Sequence, residues 1–298
     1  MPHNTLNWIV KSRDNNRVLK EFLYLQGISK RALTQIKFYG GKILVNNVEL
    51  NVRKVLSEDD IVTIIFPQEK RSPEMAPENI ELDIVYEDEF ILVINKQAGM
   101  PTIPSRQHPT GTLANAVLYY YDQNNLSFTF HAVNRLDRDT SGLLIIAKNS
   151  FVHNLFAHEQ KKGTIKRKYK AIVHGELEGK GIVNAPIGRK QGSIIERCVT
   201  EDGQSAITHF EVLNKKNEYS LVELSLETGR THQIRVHMAH LGHPLVGDDL
   251  YGGSTNILNR QALHSYSINF FHPILLKELK FESVLPEDME KFLRANIN

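Results

Sequence analysis

The sequence predicts an α+β or mixed domain built around a central sheet, preceded by a small basic α/β module. Beyond about residue 82, short apolar strands alternate with amphipathic helices, which is typical of such a sheet. Residues 15–67 have helix and hairpin signals of their own, and residues 68–81 form a Pro- and Glu-rich stretch without periodicity. We therefore expect a module at 15–67, a linker at 68–81 and a large domain at 82–298.

Composition narrows the class of protein. The chain has 298 residues, of which 41% are hydrophobic, and a net charge of only +2. No apolar run approaches the ~18–20 residues that span a bilayer, and residues 1–16 lack the apolar core of a signal peptide. The lone Cys198 cannot form an internal disulfide, which favours a reducing compartment. These features predict a cytoplasmic protein, and a monomer is the default expectation.

The module is predicted to contain two helices, a hairpin and a last strand. The first helix should end at Gly27, and its expected apolar face consists of three residues: Val18, Phe22 and Leu25. Ser29 can cap the second helix, whose expected apolar face consists of Ala32, Leu33 and Ile36. Asn46-Asn47 is a turn signal between two short strands, and residues 61–66 form the last strand.

The charge of this module is lopsided. Residues 17–54 contain eight basic and two acidic residues, a net charge of +6. Lys30, Arg31 and Lys37 lie away from the apolar face of the second helix, where they could bind phosphates. A merely solvated charged face is the alternative. The one-sided charge favours RNA as the partner.

The segment Asn134 to Gly142 is the most informative in the large domain. It places Arg135 two residues before Asp137, directly ahead of a non-alternating apolar run at 143–147. Such a run predicts a strand covered on both faces, and a turn leading into it can hold a carboxylate at the floor of a cleft. A carboxylate that only caps the turn remains an open alternative.

Two metal-dependent interpretations of this segment fail. A calcium loop would need a bidentate Glu at its twelfth position, which is Lys148 here. A phosphotransferase motif would follow an apolar strand, whereas this strand follows the carboxylates.

A second rich segment spans residues 224–251. Thr228-Gly229-Arg230 turns the chain, and Thr231 is the expected N-cap of a helix that presents His232 and Arg235 from its first turn. Four histidines in this segment raise the alternative of a metal site: His232, His237, His240 and His243. Their spacing places no three on one helix face, and no His-Glu-x-x-His motif occurs, so we expect no metal.

Five motifs occur in the order of a known family. They are Arg135-Leu136-Asp137-x-x-Thr140-Ser141-Gly142, Lys168-Tyr169-x-Ala171-x-Val173-x-Gly175, Gly229-Arg230-Thr231-His232-Gln233-Ile234-Arg235, Leu263-His264, and Phe271-His272-Pro273. Together they resemble the RluA/RluD-type pseudouridine synthases over nearly the whole chain. Two departures are Asn134, where many relatives have His, and Gln97, which interrupts the usual Lys-Pro-Ala-Gly.

This resemblance implies a mixed, mainly antiparallel central sheet with flanking helices and a central cleft. It also implies an enzyme that detaches a uracil base from its ribose and rejoins it through carbon 5, without cofactor or metal. Asp137 would be the essential carboxylate, as nucleophile or as base at the sugar, and Arg235 its ion-pair partner. Tyr169 would stack on the uracil and help to move the proton from carbon 5; a sheet-core aromatic is the alternative.

The resemblance also suggests how RNA is held. Arg135 would fill the stack that the extruded base vacates, and Arg230 would contact RNA or simply close its turn. His264 and His272 would be structural or face the RNA. The N-terminal module resembles the small RNA-binding domain named after ribosomal protein S-four, which is typical of relatives that act on large-subunit ribosomal RNA. Transfer RNA as the target, a non-catalytic ribosome-assembly factor and a metal hydrolase are the competing hypotheses.

Overall fold

A computed structural model describes residues 5–73 and 75–297. The N-terminal unit comprises, in chain order, β1 (Thr5–Ile9), α1 (Leu19–Leu25), α2 (Lys30–Phe38), β2 (Lys42–Val45), β3 (Val48–Glu49) and β4 (Ile61–Ile65). The four strands pair antiparallel in the order β1-β4-β2-β3. The two helices and one face of this sheet enclose the apolar interior of the unit.

Local signals in the unit act as expected. The Ser29 hydroxyl accepts a hydrogen bond from the Ala32 backbone N–H at 3.1 Å, which fixes the start of α2. Asn46 and Asn47 have φ values of 52° and 66°, the left-handed conformation that a two-residue hairpin turn needs at both positions. The predicted cap and the predicted turn are therefore confirmed.

Two features of the unit differ from expectation. Helix α1 buries Leu19, Phe22 and Leu23, whereas Leu25 is 62% exposed. Val18, expected on the apolar face, is the extended N-cap residue that precedes the helix. The sheet also starts at Thr5, upstream of residue 15. This strand is defined by long-range pairing with β4, from Thr5 opposite Ile65 to Ile9 opposite Ile61.

The larger part of the chain is organised around one sheet. Its elements are β5 (Ile84–Glu87), β6 (Ile91–Lys96), α3 (Leu113–Gln123), β7 (His131–Ala132), β8 (Ser141–Ala147), α4 (Ser150–Lys162), β9 (Lys166–His174), β10 (Lys180–Asn184), β11 (Ile187–Arg189), β12 (Arg197–Val199), β13 (Ile207–Lys216), β14 (Tyr219–Leu226), α5 (Gln233–His240), β15 (Leu263–His272), β16 (Lys277–Glu282) and α6 (Glu287–Asn296). The sheet runs β10-β13-β14-β9-β15-β8-β6-β5, with β16 on β15 and β7 on β8. Strands β11 and β12 form a separate hairpin.

The sheet is mixed but mainly antiparallel, as the resemblance predicted. Among the described strands, β8 and β15 pair parallel and their neighbours pair antiparallel. Every residue of β8 is buried. Leu144 and Ile146 share an apolar cluster with α3, whereas Leu143 and Ile145 share one with α4 and the N-terminal unit. This two-sided cover explains the apolar run without alternation.

Gly142 allows β8 to approach β15. It has a φ of +112°, and a Cβ atom built there would lie 2.3 Å from the Ser265 carbonyl oxygen. A side chain would therefore prevent the parallel pairing of Ser141 with His264. The close pairing anchors the start of β8, immediately after the segment that contains Asp137.

The predicted linker has no helix or strand among its described residues, yet it is tied to the large domain. Arg71 donates hydrogen bonds to the carbonyl oxygens of Phe128 at 2.9 Å and Leu126 at 3.2 Å. Glu69 accepts from the Ser150 N–H at 2.8 Å. Phe66, just after β4, stacks on Phe151 of α4 with ring centroids 4.8 Å apart. The N-terminal unit thus packs against α4.

Candidate active site

Hydrogen bonds from Thr102 and Lys96 hold the backbone of the turn that contains Asp137. The Thr102 hydroxyl donates to the Leu136 carbonyl at 2.8 Å. Lys96 is buried, and its ammonium donates to three carbonyl oxygens: Gln97 at 2.9 Å, Met100 at 2.8 Å and Arg138 at 2.9 Å. Burial lowers the pKa of Lys96 to about 7, against the opposing effect of Asp139 and Asp137. The backbone on either side of Asp137 is therefore fixed.

The two departures from the family motifs lie in this support. The Asn134 side-chain oxygen accepts from the Ile145 N–H at 3.0 Å, while its Nδ2 is buried without a partner. Gln97 offers its backbone carbonyl to Lys96, a contact that does not depend on its side chain. Both residues thus support the turn through backbone or amide groups.

Arg235 joins two carboxylates that are far apart in the sequence. Its Nε and Nη2 donate to the two carboxylate oxygens of Asp248 at 2.7 Å each, and its Nη1 reaches an Asp137 oxygen at 3.4 Å. The Asp248 side chain is fully buried, whereas that of Asp137 is 27% exposed. Burial opposes the charge of Arg235, but the hydrogen bond and charge of Asp248 raise its pKa above the ordinary value. Asp137 therefore faces the cleft beside a permanent cation.

The start of α5 differs from the prediction that Thr231 caps it. His232 is the residue before the helix, with a left-handed φ of 58°. Instead of a hydroxyl cap, the buried Gln233 side chain accepts from the Arg230 N–H at 2.9 Å and donates to the Ile207 carbonyl at 3.0 Å. Contacts with β13 therefore shape this turn, and the expectation that His232 and Arg235 emerge together holds.

His232 forms a second contact with the carboxylate. Its Nε2 lies 3.9 Å from an Asp137 oxygen, and its Nδ1 lies 2.7 Å from the Tyr251 hydroxyl. The Tyr251 ring lies 4.9 Å from the Arg235 guanidinium carbon, measured to the ring centroid. Burial lowers the pKa of His232, with Asp137 opposing, so the imidazole is favoured as neutral at neutral pH.

A cleft of about 560 Å³ brings the predicted catalytic residues together. Asp137, Tyr169 and Arg235 all line it, as do Arg135 and Arg230. Tyr169 lies on β9 and is only 4% exposed, so it belongs both to the sheet core and to the cleft wall. The cleft can accept a flat ring against Tyr169 with the Asp137 carboxylate nearby.

The predicted RNA-binding residues occupy two places. Arg135 is exposed at the cleft, and Arg230 is bound to the Ser205 carbonyl and the Gln204 side chain at 2.9 Å each, as expected of a residue that closes its turn. Lys30, Arg31 and Lys37 are exposed on α2, and none of them lines the cleft.

His264 and His272 are buried within the sheet. His264 bridges the Ser141 and Ser283 hydroxyls at 2.9 Å each, and the His272 Nδ1 accepts from the Leu275 N–H at 3.0 Å. Both side chains therefore bond to neighbouring residues of the protein. Over residues 5–73 and 75–297, no three His, Cys, Asp or Glu side chains are grouped so as to hold a metal ion, and no helix is long and apolar enough to cross a membrane.

Comparison with known proteins identifies the family. The model of the RNA pseudouridylate synthase family matches residues 90–240, which include the Asp137 turn, Tyr169 and Arg235. The chain belongs to this family. The synthase is 49% identical to the uncharacterized RNA pseudouridine synthase YjbO of Bacillus subtilis over 93% of its own length and 98% of the relative's. It is 38% identical to the ribosomal large subunit pseudouridine synthase D of Pseudomonas aeruginosa, over 83% and 82% of the two chains.

Solved structures agree on the fold of the synthase. Human RNA pseudouridylate synthase domain containing 1 superimposes with a TM-score of 0.57 at 24% identity, covering 73% of this chain and 95% of that one. The human domain containing 4 gives 0.58 at 23% identity, covering 71% and 92%. The expected pseudouridine synthase fold is thereby confirmed. The family model and the relatives above confirm the isomerase class.

Sequence reasoning missed several residues around the site of the synthase. Asp248 and Tyr251 fix Arg235, Gln233 shapes the turn before α5, and Lys96 supports the Asp137 turn. Asp248 follows Leu245-Val246-Gly247, so an acidic residue directly after an apolar pair and a glycine was the signal available. Nothing in the local pattern connects it with Arg235.

Proposed function

We propose that this synthase isomerises uridine in RNA of the large ribosomal subunit, with Asp137 as the essential carboxylate. The observation that carries the proposal is the meeting of Asp137, Tyr169 and Arg235 in one cleft. The chemistry at the sugar needs a carboxylate, and Arg235 places a cation 3.4 Å from one Asp137 oxygen, where charge develops during the reaction. Arg235 makes its shortest contacts to Asp248, so its weaker contact leaves Asp137 free to act.

The uracil would lie against Tyr169. Its ring is fixed in β9, so stacking there costs little conformational entropy, and its hydroxyl could assist removal of the proton from carbon 5. Extruding a base from folded RNA costs a few kcal/mol. Arg135 is exposed at the cleft, and its planar guanidinium is suited to fill the vacated position.

The N-terminal unit would bind RNA outside the cleft. Lys30, Arg31 and Lys37 are exposed on α2, and Phe38 and Tyr39 at its end are 70% and 73% exposed. Exposed aromatic rings beside cations form a common platform for unpaired bases. This combination supports an RNA-binding role for the N-terminal unit.

Large-subunit ribosomal RNA is favoured by the relatives. Several that resemble this chain over more than four-fifths of its length are named ribosomal large subunit pseudouridine synthase D, including those from Pseudomonas aeruginosa and Yersinia pestis. The relative from Pseudomonas aeruginosa also has a comparable share of its own length covered, at 82%. We transfer the substrate class to this chain from these names.

Pseudouridine mapping tests the proposal directly. The purified protein would be incubated with unmodified large-subunit ribosomal RNA and, separately, with unmodified transfer RNA. We expect pseudouridine in the ribosomal RNA with the wild-type protein and none with Asp137→Asn, which keeps the shape but removes the charge. Formation in transfer RNA alone would overturn the substrate class. Full activity of Asp137→Asn would overturn the role of this carboxylate, and binding without any pseudouridine would favour an assembly factor.

A further inference from the structure

Arg167 is a buried cation in the cleft wall whose role the site described above does not explain. It lies on β9 two residues before Tyr169, so both side chains leave the same face of the strand. Arg167 is 7% exposed and lines the cleft together with Gln160 and Gly229. Its Nε atom is buried without a hydrogen-bond partner, and no ion pair among the described residues includes it.

Other buried cations of this protein are matched by partners. Arg235 is held by Asp248, Lys148 by Glu87 at 2.6 Å, and Lys96 by three carbonyl oxygens. Burying a guanidinium without such a partner is costly, because the charge loses water and gains nothing in return. An unpaired buried guanidinium in the wall of a cleft gains a partner when a ligand places an anionic group beside it.

A glycine lies beside the Arg167 guanidinium in the lining of the cleft. Gly229 is the neighbour of the Arg167 guanidinium, and a Cβ atom built there would lie 3.3 Å from its Nη2. Any side chain at 229 would therefore crowd the guanidinium. Residues two apart on a strand are about 6.6 Å apart along its axis, so Arg167 and Tyr169 are spaced to contact neighbouring parts of one bound nucleotide.

We propose that Arg167 binds a backbone phosphodiester of the RNA next to the uridine that stacks on Tyr169. This inference rests on the proposed function, because it assumes that RNA enters this cleft. A phosphodiester has one negative charge and two free oxygens, which matches the donors that a guanidinium can present. The phosphate would hold the nucleotide in register, while Asp137 and Arg235 act at the sugar.

The test compares two substitutions with a neighbour on the same strand. Arg167→Met keeps the aliphatic volume and removes the charge, whereas Arg167→Lys keeps the charge. Lys168→Met is the matched control, since Lys168 lies on the opposite face and binds Glu223 at 2.6 Å. The affinity for a short uridine-containing RNA substrate would be measured from 50 to 200 mM salt. We expect Arg167→Met to weaken binding about tenfold and to lower the slope of log affinity against log salt by about 0.7, with the other two variants near wild type.

Further readouts separate this role from a structural one. Arg167→Met should raise KM and leave kcat largely unchanged, and its melting temperature should equal or exceed that of the wild type, because it removes an unmatched buried charge. A neutral methylphosphonate can replace each phosphate beside the target uridine in turn. At one of these positions it should weaken binding by the wild type and leave binding by Arg167→Met unchanged. An unchanged salt slope, an equal loss in Lys168→Met, or a lowered melting temperature would overturn the proposal. A wild type that binds this RNA without forming pseudouridine contradicts the proposed function instead, and the salt slope still tests Arg167.

Discussion

Arg235 and Asp248 form a buried bidentate ion pair, with both nitrogen–oxygen distances at 2.7 Å. This pair fixes the plane of the guanidinium and leaves Nη1 directed at Asp137, 3.4 Å away. Asp248 has no place in the cleft lining, so it acts through Arg235. The geometry at Asp137 therefore depends on a carboxylate that does not contact the substrate site.

Asp248→Asn should lower both stability and turnover. Removing one partner of a buried pair leaves the other charge uncompensated, at a cost of about 3–5 kcal/mol in the free energy of unfolding. Urea denaturation and single-turnover pseudouridine formation measure the two effects. Glu290→Gln, which breaks an exposed pair with Arg294, is the control and should change neither. Wild-type turnover in Asp248→Asn would contradict the role assigned to this pair.

Tyr169→Phe should separate stacking from proton transfer. The phenyl ring keeps the stacking surface, so RNA affinity should stay near wild type, while turnover should fall about 100-fold because the hydroxyl is lost. Tyr169→Leu should lose both. The matched control is Tyr121→Phe. Tyr121 lies outside the cleft and its buried hydroxyl has no hydrogen-bond partner in the part of the chain that the structure describes, so this change should leave turnover unchanged. Normal turnover by Tyr169→Phe would reduce Tyr169 to a stacking platform.

His264 should make the protein less stable as the pH falls. Burial, helped by the charges of Arg260 and Lys170, lowers the pKa of His264 from its ordinary value of 6.5 to about 4. The unfolded chain therefore takes up this proton at a higher pH than the folded protein, and stability is lost between about pH 6.5 and pH 4. One unit of pKa corresponds to ~1.36 kcal/mol, so the contribution is about 3 kcal/mol.

Denaturation of His264→Gln across this pH range checks the expectation. The variant should show a flatter dependence of unfolding free energy on pH than the wild type. His240→Gln, at an exposed position, is the control and should keep the wild-type slope. Parallel curves for wild type and His264→Gln would show that this histidine does not contribute.

The basic surface of α2 should contribute to RNA affinity independently of catalysis. Replacing Lys30, Arg31 and Lys37 with Gln should reduce the slope of log affinity against log salt by about 2, since each phosphate contact contributes about 0.7. The control variant replaces three exposed lysines outside α2 with Gln and so lowers the net charge by the same amount: Lys277, Lys280 and Lys291. Equal losses in both variants would point to a general charge effect and not to an RNA-binding face.

Local signals predicted elements well where a single residue determines the backbone. Ser29 and the Asn46-Asn47 turn acted as expected, and the non-alternating run at 143–147 lies in a strand covered on both faces. Thr231 failed as a cap because Gln233 contacts β13, which no local pattern reports. Strand β1 was missed for the same reason, since its identity comes from pairing with a strand far along the chain.

The sequence by itself determined the family, because five motifs, three of which contain Asp137, Tyr169 and Arg235, stand in the order that the family has. Only the tertiary structure decided how these groups are held and which charges lie beside them. Asp248 meets Arg235, and the Nε atom of Arg167 is buried at the cleft wall without a hydrogen-bond partner among the described residues. Electrostatic effects depend on distance and burial in space, and neither quantity can be obtained from the order of residues along the chain.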